Sequence, residues 1–291
     1  MCARGSMLAG MRDLSAKRVL ITGGASGIGR ALAQRFAKEA AHLVLLDRDG
    51  DALGRAVEEL RAEGATVQGH VVDVTDGDSV LRARDAVRAE GGPIDVLVNN
   101  AGVVFGGPFL GVSLERHLTT YRVNVLGVVA VTHAFLPDLI GRPEAHVVQV
   151  ASASGFVGVP FGATYASSKW AVIGFAESLR LELGELGHRH VHVTTVCPSY
   201  VATGLFAGAR APRLSRMLTA EGVAAEVVHA VKRDRVFVRT PWLVEVTPFL
   251  RGVLPLRVFD AAAQLLGVTS SMAQWRGREG QDAARASAPR A

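Results

Sequence analysis

Short apolar runs and longer amphipathic stretches alternate along most of this chain. Arg18-Val-Leu-Ile-Thr22 is the first run, and it stops at glycines. Runs this short and continuous read as strands buried on both faces of a sheet. Comparable runs occupy Leu43–Leu46, Thr66–Val72, Ile94–Val98, His146–Ala151, Val191–Val196 and Val236–Thr240. Between them, apolar positions recur at helical spacing over Arg30–Ala40, Asp51–Glu63, Ser79–Glu90, Ser113–Leu139, residues 164 to about 184, and Gly222–Lys232. Leu205 to Leu218 is expected to be a mobile helical segment. Regular βα alternation predicts an α/β fold, a parallel sheet covered by helices on both faces. Ligands collect at the carboxyl ends of such strands.

The pattern breaks near residue 240. Residues 241–268 are strongly apolar but interrupted by Glu245, Pro248, Arg251, Pro255, Arg257 and Asp260. No run of about 18 uncharged apolar residues occurs, so no membrane span is expected. An interfacial helix pair with peripheral membrane contact, an interface or a pocket lid all fit. The chain then divides into an arm or cloning remnant (1–14), an α/β domain (15–240), an apolar extension packing on it (241–276), and an Ala/Arg/Ser/Pro-rich tail (277–291) expected to be disordered.

Composition narrows the function. With 291 residues, 49% of them hydrophobic, the chain has ample material for a core. Its two cysteines, Cys2 and Cys197, give neither a disulfide framework nor a metal site, so a reducing cytoplasm is expected. The formal charge of +5 is scattered, without a basic block interleaved with aromatics, which argues against nucleic acid. His188, His190 and His192 occupy a turn and a strand edge without evident partner carboxylates, and no metal is expected.

Candidate chemistry sits where strands end. Gly23-Gly-Ala-Ser26-Gly27-Ile28-Gly29 joins the first strand to a helix, so backbone N–H groups and the positive end of a helix dipole converge there. A pyrophosphate fits such a turn, and a Cβ at its glycines would block close approach. The second strand ends at Asp47, whose carboxylate can accept both hydroxyls of an adenosine ribose and repels a 2′-phosphate. Arg48 pulls the other way, toward NADP. The short, fixed Asp47 favours NAD, with NADP second. Tyr165 and Lys169 are an i,i+4 pair on a predicted helix and share a face. An ammonium beside a phenol favours the phenolate, and Ser152 at a strand end offers a second hydroxyl. Two donors aimed at one oxygen, one able to exchange its proton, suit reversible carbonyl reduction.

Taken together, Thr22-Gly-x-x-x-Gly-x-Gly29, Asp73-Val74, Asn99-Asn-Ala-Gly102, Asn124, Ser152 and Tyr165-x-x-x-Lys169 resemble the short-chain dehydrogenase/reductase family over roughly residues 15 to 240. The resemblance implies a single Rossmann-type, doubly wound domain with a seven-stranded parallel sheet. It implies a homodimer or homotetramer assembled through the helices bearing Asn124 and Tyr165. It also implies roles: Tyr165 as general acid/base, Lys169 lowering its pKa and binding the nicotinamide ribose, Ser152 holding the substrate oxygen, and Asn124 holding a relay water. Asp73 and Val74 would bracket the adenine, Asn100, Ala101 and Gly102 line the cofactor path, and Val201 and Thr203 after Pro198 hold the nicotinamide amide. Ser199 stands where the family often has glycine, which puts the shape of the nicotinamide end in question.

The segment Cys197–Phe206, the apolar extension, and Ser271-Met272 followed by Trp275-x-Gly-Arg278 look like the branch acting on retinoids and steroids. Val104, Phe105, Ser154, Phe156, Val159, Phe161, Tyr200 and Phe206 are the candidate substrate contacts. None is a cation, so a bulky uncharged alcohol or ketone fits best. The competing readings are a cofactor-binding sensor or scaffold without turnover, and a lipid-alcohol dehydrogenase attached to a membrane surface.

Overall fold

Along β1 (Arg18–Thr22) successive side chains point to opposite faces, and each meets a helical layer. Val19 and Ile21 pack with Leu32 and Phe36 of α1 (Gly27–Ala37) and with Val223 and Val227 of α7 (Ala220–Lys232). Leu20 faces the other way, toward Val87 of α3 (Gly77–Gly91), Phe135 of α5 (Val128–Ile140) and Ala176 of α6 (Ala163–Glu185). Two apolar layers on one sheet require helices on both sides, as the alternation predicted.

The computed structural model describes residues 11–277. Its sheet has seven parallel strands in the order β3-β2-β1-β4-β5-β6-β7. The remaining strands are β2 (His42–Asp47), β3 (Val67–Val71), β4 (Val96–Asn99), β5 (Ala145–Val150), β6 (Val191–Pro198) and β7 (Phe237–Thr240). The order reverses between β1 and β4, so a crevice opens at their carboxyl ends. The fold is the Rossmann-like one expected.

Several expectations change in detail. Helix α1 starts at Gly27, inside the glycine motif. The stretch expected as one helix from Ser113 is α4 (Leu114–Tyr121), a π-helical turn (Arg122–Gly127) and α5. Together, 114–140 is long and apolar enough to cross a membrane by length and composition, with mean hydropathy 1.7 in its best window. About half of that window (56%) is buried inside the fold, as in the core helix of a folded domain, and Val131, Phe135 and Leu139 of this stretch lie in the core. Residues 205–218 form turns, not a helix. Their backbone bonds elsewhere: Arg210 N–H donates to Ser271 O (2.9 Å), Arg213 N–H to Leu266 O (2.7 Å), and Ala207 O accepts from Arg276 N (2.8 Å). Part of the expected arm is core, since Met11 and Leu14 are buried against α1 and its neighbours. The expected tail lies outside the described residues beyond Gly277, and so does Arg278.

The apolar extension folds as α8 (Trp242–Val253) and α9 (Leu256–Leu265), followed by turns. Trp275 closes it: its ring lies where a Cβ on Gly106 would be (2.7 Å), and its Nε1 donates to Leu205 O (3.1 Å).

Candidate active site

The glycine turn is shaped by contacts a side chain would prevent. Gly23 and Gly27 have φ of +64° and +55°, a region that favours glycine. A Cβ on Gly29 would lie 2.0 Å from Gly23 O and 2.6 Å from Asn100 Nδ2. Asn100 holds this turn, donating from Nδ2 to Thr22 O (2.9 Å) and Gly23 O (3.1 Å). Thr22 Oγ1 accepts from the N–H groups of Asn100 and Ala101, both at 3.0 Å. The turn feeds the N-terminus of α1, which has no acidic residue in its first turn. That combination fits the pyrophosphate of a dinucleotide.

A cleft runs from this turn across the sheet. At one end lie Gly23, Ser26, Gly27, Ile28, Asp47 and Arg48, and Asp73 and Val74 follow. Asn100, Ala101 and Gly102 line its middle, and Ser152, Tyr165, Lys169, Pro198, Val201 and Thr203 its far end. Every expected cofactor contact therefore borders one cavity except Gly29, which acts from behind the turn. Asp47 has a second duty the sequence did not reveal: Oδ2 accepts from Ala25 N (3.0 Å) and Oδ1 from Asp49 N (3.1 Å). Each oxygen keeps acceptor capacity for a ribose hydroxyl. Arg48 is exposed on the rim.

Tyr165, Lys169 and Asn124 are buried, brought together by α6 and the π turn. Lys169 Nζ donates to Val150 O (2.9 Å), and its ammonium lies 5.8 Å from the centroid of the Tyr165 ring. Burial brings the Lys169 pKa down to about 8. Burial also pushes the Tyr165 phenol above its ordinary range, while its bond with Ser152 pulls the other way. The spacing of Tyr165 and Lys169 had suggested the opposite net direction. Here desolvation outweighs the Ser152 bond, and the neutral phenol is the resting form.

Asn124 is more fully engaged than expected. Its Nδ2 donates to Val103 O (3.0 Å) and Ser168 Oγ (3.0 Å), and its Oδ1 accepts from Val103 N (2.8 Å). Only spare acceptor capacity on Oδ1 remains for a water. Gly102 keeps that oxygen open toward Lys169: a Cβ there would lie 3.4 Å from Asn124 Oδ1 and 3.6 Å from Lys169 Nζ.

Behind Tyr165 lies a second, mostly apolar cavity that opens to solvent. It shares Ser152, Tyr165, Ser199 and Phe206 with the cleft. Of the candidate substrate contacts, Ser154, Val159, Tyr200 and Phe206 line it. Val104 is buried next to it, in the cluster of Val159 and Tyr165. Three candidates face elsewhere. Phe105 lies under the Arg116 guanidinium, Phe156 packs between Arg239 and Phe237, and Phe161 is partly exposed at a backbone φ of +63°. Sequence reading missed Pro212, Ser215, Leu243, Val244, Thr247 and Val268, all contributed by the 204–218 segment and the extension. The signal for the last four was only the apolarity of residues 241–268, and Pro212 and Ser215 carried none. The histidines also differ from expectation: His192 Nδ1 pairs with Asp234 Oδ2 (2.7 Å), and His190 Nε2 bonds Ile140 O (3.0 Å). Among the described residues no three of His, Cys, Asp or Glu converge as a metal site would need.

A crossover sheet, a glycine-turn cleft and a Tyr/Lys pair at its far end define a nucleotide-dependent oxidoreductase of Rossmann type. The comparisons agree. The family model described as short chain dehydrogenase matches residues 17–213, and the chain belongs to that family. It is 34% identical to estradiol 17-beta-dehydrogenase 11 of Rattus norvegicus over 257 residues, covering 88% of this chain and 86% of that protein. It is 42% identical to 1-deoxy-11-beta-hydroxypentalenate dehydrogenase of Streptomyces exfoliatus over 231 residues, 77% and 82% of the two chains. A short chain dehydrogenase/reductase from Burkholderia phymatum, solved in complex with NAD, superposes with a TM-score of 0.76 at 33% identity, covering 82% of this chain and 94% of that one. The protein is an NAD(P)-dependent short-chain dehydrogenase, similar to the steroid- and retinoid-type members.

Proposed function

We propose that the protein interconverts a bulky, uncharged, lipophilic alcohol and its ketone, using NAD in preference to NADP. The observation that carries this reading is the apolar cavity opening on Ser152 and Tyr165, which no charged side chain lines. The names of the two relatives, an estradiol and a hydroxypentalenate dehydrogenase, point to polycyclic alcohols of similar bulk. The second of these names a carboxylate, for which this cavity offers no cation.

When bound, the nicotinamide cofactor supplies or accepts the hydride. Tyr165 and Ser152 supply the rest. Ser152 Oγ accepts from Ser154 N (3.2 Å), and its O–H, which bonds the Tyr165 phenol, turns to the substrate oxygen when substrate is bound. In reduction the buried neutral phenol of Tyr165 gives its proton to that oxygen as charge develops on it. In oxidation the phenol must first lose its proton, and the Lys169 ammonium is the nearby cation that favours the phenolate. Lys169 keeps two N–H donors beyond Val150 O, enough for ribose hydroxyls.

Steady-state assays with a panel of hydrophobic alcohols and both cofactors test this reading. Tyr165→Phe should lower kcat by about two to four orders of magnitude while cofactor affinity stays within a few-fold. Near-normal turnover in that variant would remove Tyr165 as the acid/base. A homo-oligomer is part of the proposal, supported by exposed Leu114, Leu118, Leu126 and Val129 on the α4–α5 face. A membrane-surface setting is the second reading. Exposed Trp242, Phe249, Val253, Leu256 and Leu265 on α8 and α9 favour it, and vesicle flotation tests it.

A further inference from the structure

The helix that carries Tyr165 begins without the usual means of fixing its first turn. Tyr165 is the third residue of α6, whose N-cap is Gly162. That turn has neither a side-chain cap nor an acidic residue. The first N–H groups of a helix have no intrahelical partners, and such ends fray unless something holds them. Proton transfer, however, needs the Tyr165 hydroxyl placed to better than about 1 Å.

What holds this turn lies outside it, between β4 and the π turn. Gly107 N–H donates to Phe161 O (2.8 Å), which fixes the approach to α6. His117 Nδ1 bonds Thr164 Oγ1 (2.6 Å), and Tyr121 OH bonds Ser167 Oγ (2.7 Å). His117 and Tyr121 are four residues apart on α4, and Thr164 and Ser167 three apart on α6, so each pair shares a face. The bond from Asn124 to Ser168 Oγ (3.0 Å) is the third rung of this ladder. Ser167 and Ser168 pass the grip to the backbone, donating to Thr164 O (3.0 Å) and Tyr165 O (2.7 Å).

The first rung is the one set directly beside Tyr165. Thr164 is buried, and the His117 ring that meets it is fixed from two sides. Its Nε2 bonds Phe109 O (3.0 Å), and the ring stacks on that of Phe109 with centroids 4.6 Å apart. A carbonyl can only accept, so Nε2 carries the proton of the neutral ring and Nδ1 accepts from the Thr164 hydroxyl. Resting on the dehydrogenase reading above, we propose that His117 is a positioning residue for Tyr165, acting through the hydroxyl of Thr164. His117 lines neither cavity, so it has no direct part in binding.

The test uses the full-chain protein with 2-decanone and NADH. Thr164→Val and His117→Gln should each lower kcat by about ten- to a hundredfold, as a slightly misplaced reacting group does. KM for 2-decanone and the NADH dissociation constant should stay within about twofold. The two substitutions combined should be no worse than the worse single one, because both remove the same bond. An amide replaces one ring nitrogen at a time: Asn reaches the Nδ1 position, Gln the Nε2 position. His117→Asn and Thr164→Ser should therefore keep most of the activity. Fluorotyrosine NMR reads the placement without turnover, since the chain has three tyrosines and Tyr165→Phe assigns the resonance. The Tyr165 resonance should shift in Thr164→Val and His117→Gln, while that of Tyr200 stays in place. An unmoved resonance or an unchanged kcat in Thr164→Val overturns the inference. So does a loss in His117→Asn equal to that in His117→Gln, or a loss of kcat matched by losses of NADH affinity and Tm. If the wild type leaves 2-decanone unreduced while the resonance responds, the lipophilic-ketone reading alone is in error.

Discussion

The two cavities share a wall of Ser152, Tyr165, Ser199 and Phe206, yet they are built by opposite means. The cofactor cleft is shaped mainly by backbone: a glycine turn, two positive-φ residues, and Asn100 and Asp47 holding main-chain groups. The apolar cavity is shaped by side chains from three separated parts of the chain: the loop after β5, the 204–218 segment, and the extension after β7. Backbone-built sites demand particular residues at particular local spacings. Side-chain-built sites demand only volume and apolarity, which many sequences supply.

That contrast explains what the sequence revealed. The parallel sheet and the residues that line the cleft were legible because Gly29, Asp47 and Lys169 each answer a local geometric need. The substrate side was half legible. Phe156 was assigned to it as an apolar neighbour of Ser152, but Arg239 and Phe237 take its ring. Residues 205–218 carry helix-compatible residues, but tertiary hydrogen bonds with the extension hold them as turns. The direction of the Tyr165 pKa was not legible for another reason: spacing shows which charge is near, whereas burial depends on the whole fold.

The sharpest way to break the comparison is Gly29→Ala. Its Cβ would meet Gly23 O at 2.0 Å, so the turn must deform. Overpacking of this kind costs about 1–3 kcal/mol, and nucleotide affinity should fall by about a hundredfold. A fluorescent probe of the apolar cavity should bind as before; loss of both would show the two cavities are not independently built.

Lys169→Met tests the wall itself. A buried ammonium whose pKa is near 8, against an ordinary 10.5, destabilises the fold at neutral pH. The unfolded chain binds more protons between those values, so this penalty is full below pH 8 and fades as pH rises toward 10.5. By the linkage conversion it is on the order of 3 kcal/mol. Turnover and cofactor affinity should both drop in the variant, while Tm at pH 7 rises by several degrees. An unchanged or lower Tm would mean the lysine is charged at no cost.

Asp47→Ser separates the two duties of that carboxylate. The proposed discrimination against NADP, expected to be at least about tenfold in kcat/KM for the wild type, should largely vanish, since about 1.4 kcal/mol would sustain it. Loss of the bonds to Ala25 and Asp49 should also lower Tm slightly. Arg48→Ala should leave NAD use intact. Equal use of both cofactors by the unmodified protein would show that Arg48 outweighs Asp47.

Smallest is Tyr200→Phe, which removes the bond to Ser271 and about 1 kcal/mol of stability. KM for a lipophilic substrate should rise a few-fold with nucleotide affinity unchanged. A change in nucleotide affinity instead would assign Tyr200 to the cleft.

The π turn at Arg122–Gly127 has a consequence for length variation. A π turn places one residue more in the same rotation than an α-helical turn, so the helix on either side keeps a common angular phase. Deleting a single residue there would let the helix run on as a plain α-helix with Val131, Phe135 and Leu139 still under the sheet. What changes is local: Asn124 sits in the π turn, and its bonds to Val103 and Ser168 depend on the extra residue's widening of the backbone. A deletion in this turn should therefore cost turnover more than stability. The same deletion in a plain α-helical stretch rotates one part of the helix against the other by about 100° and should cost stability first.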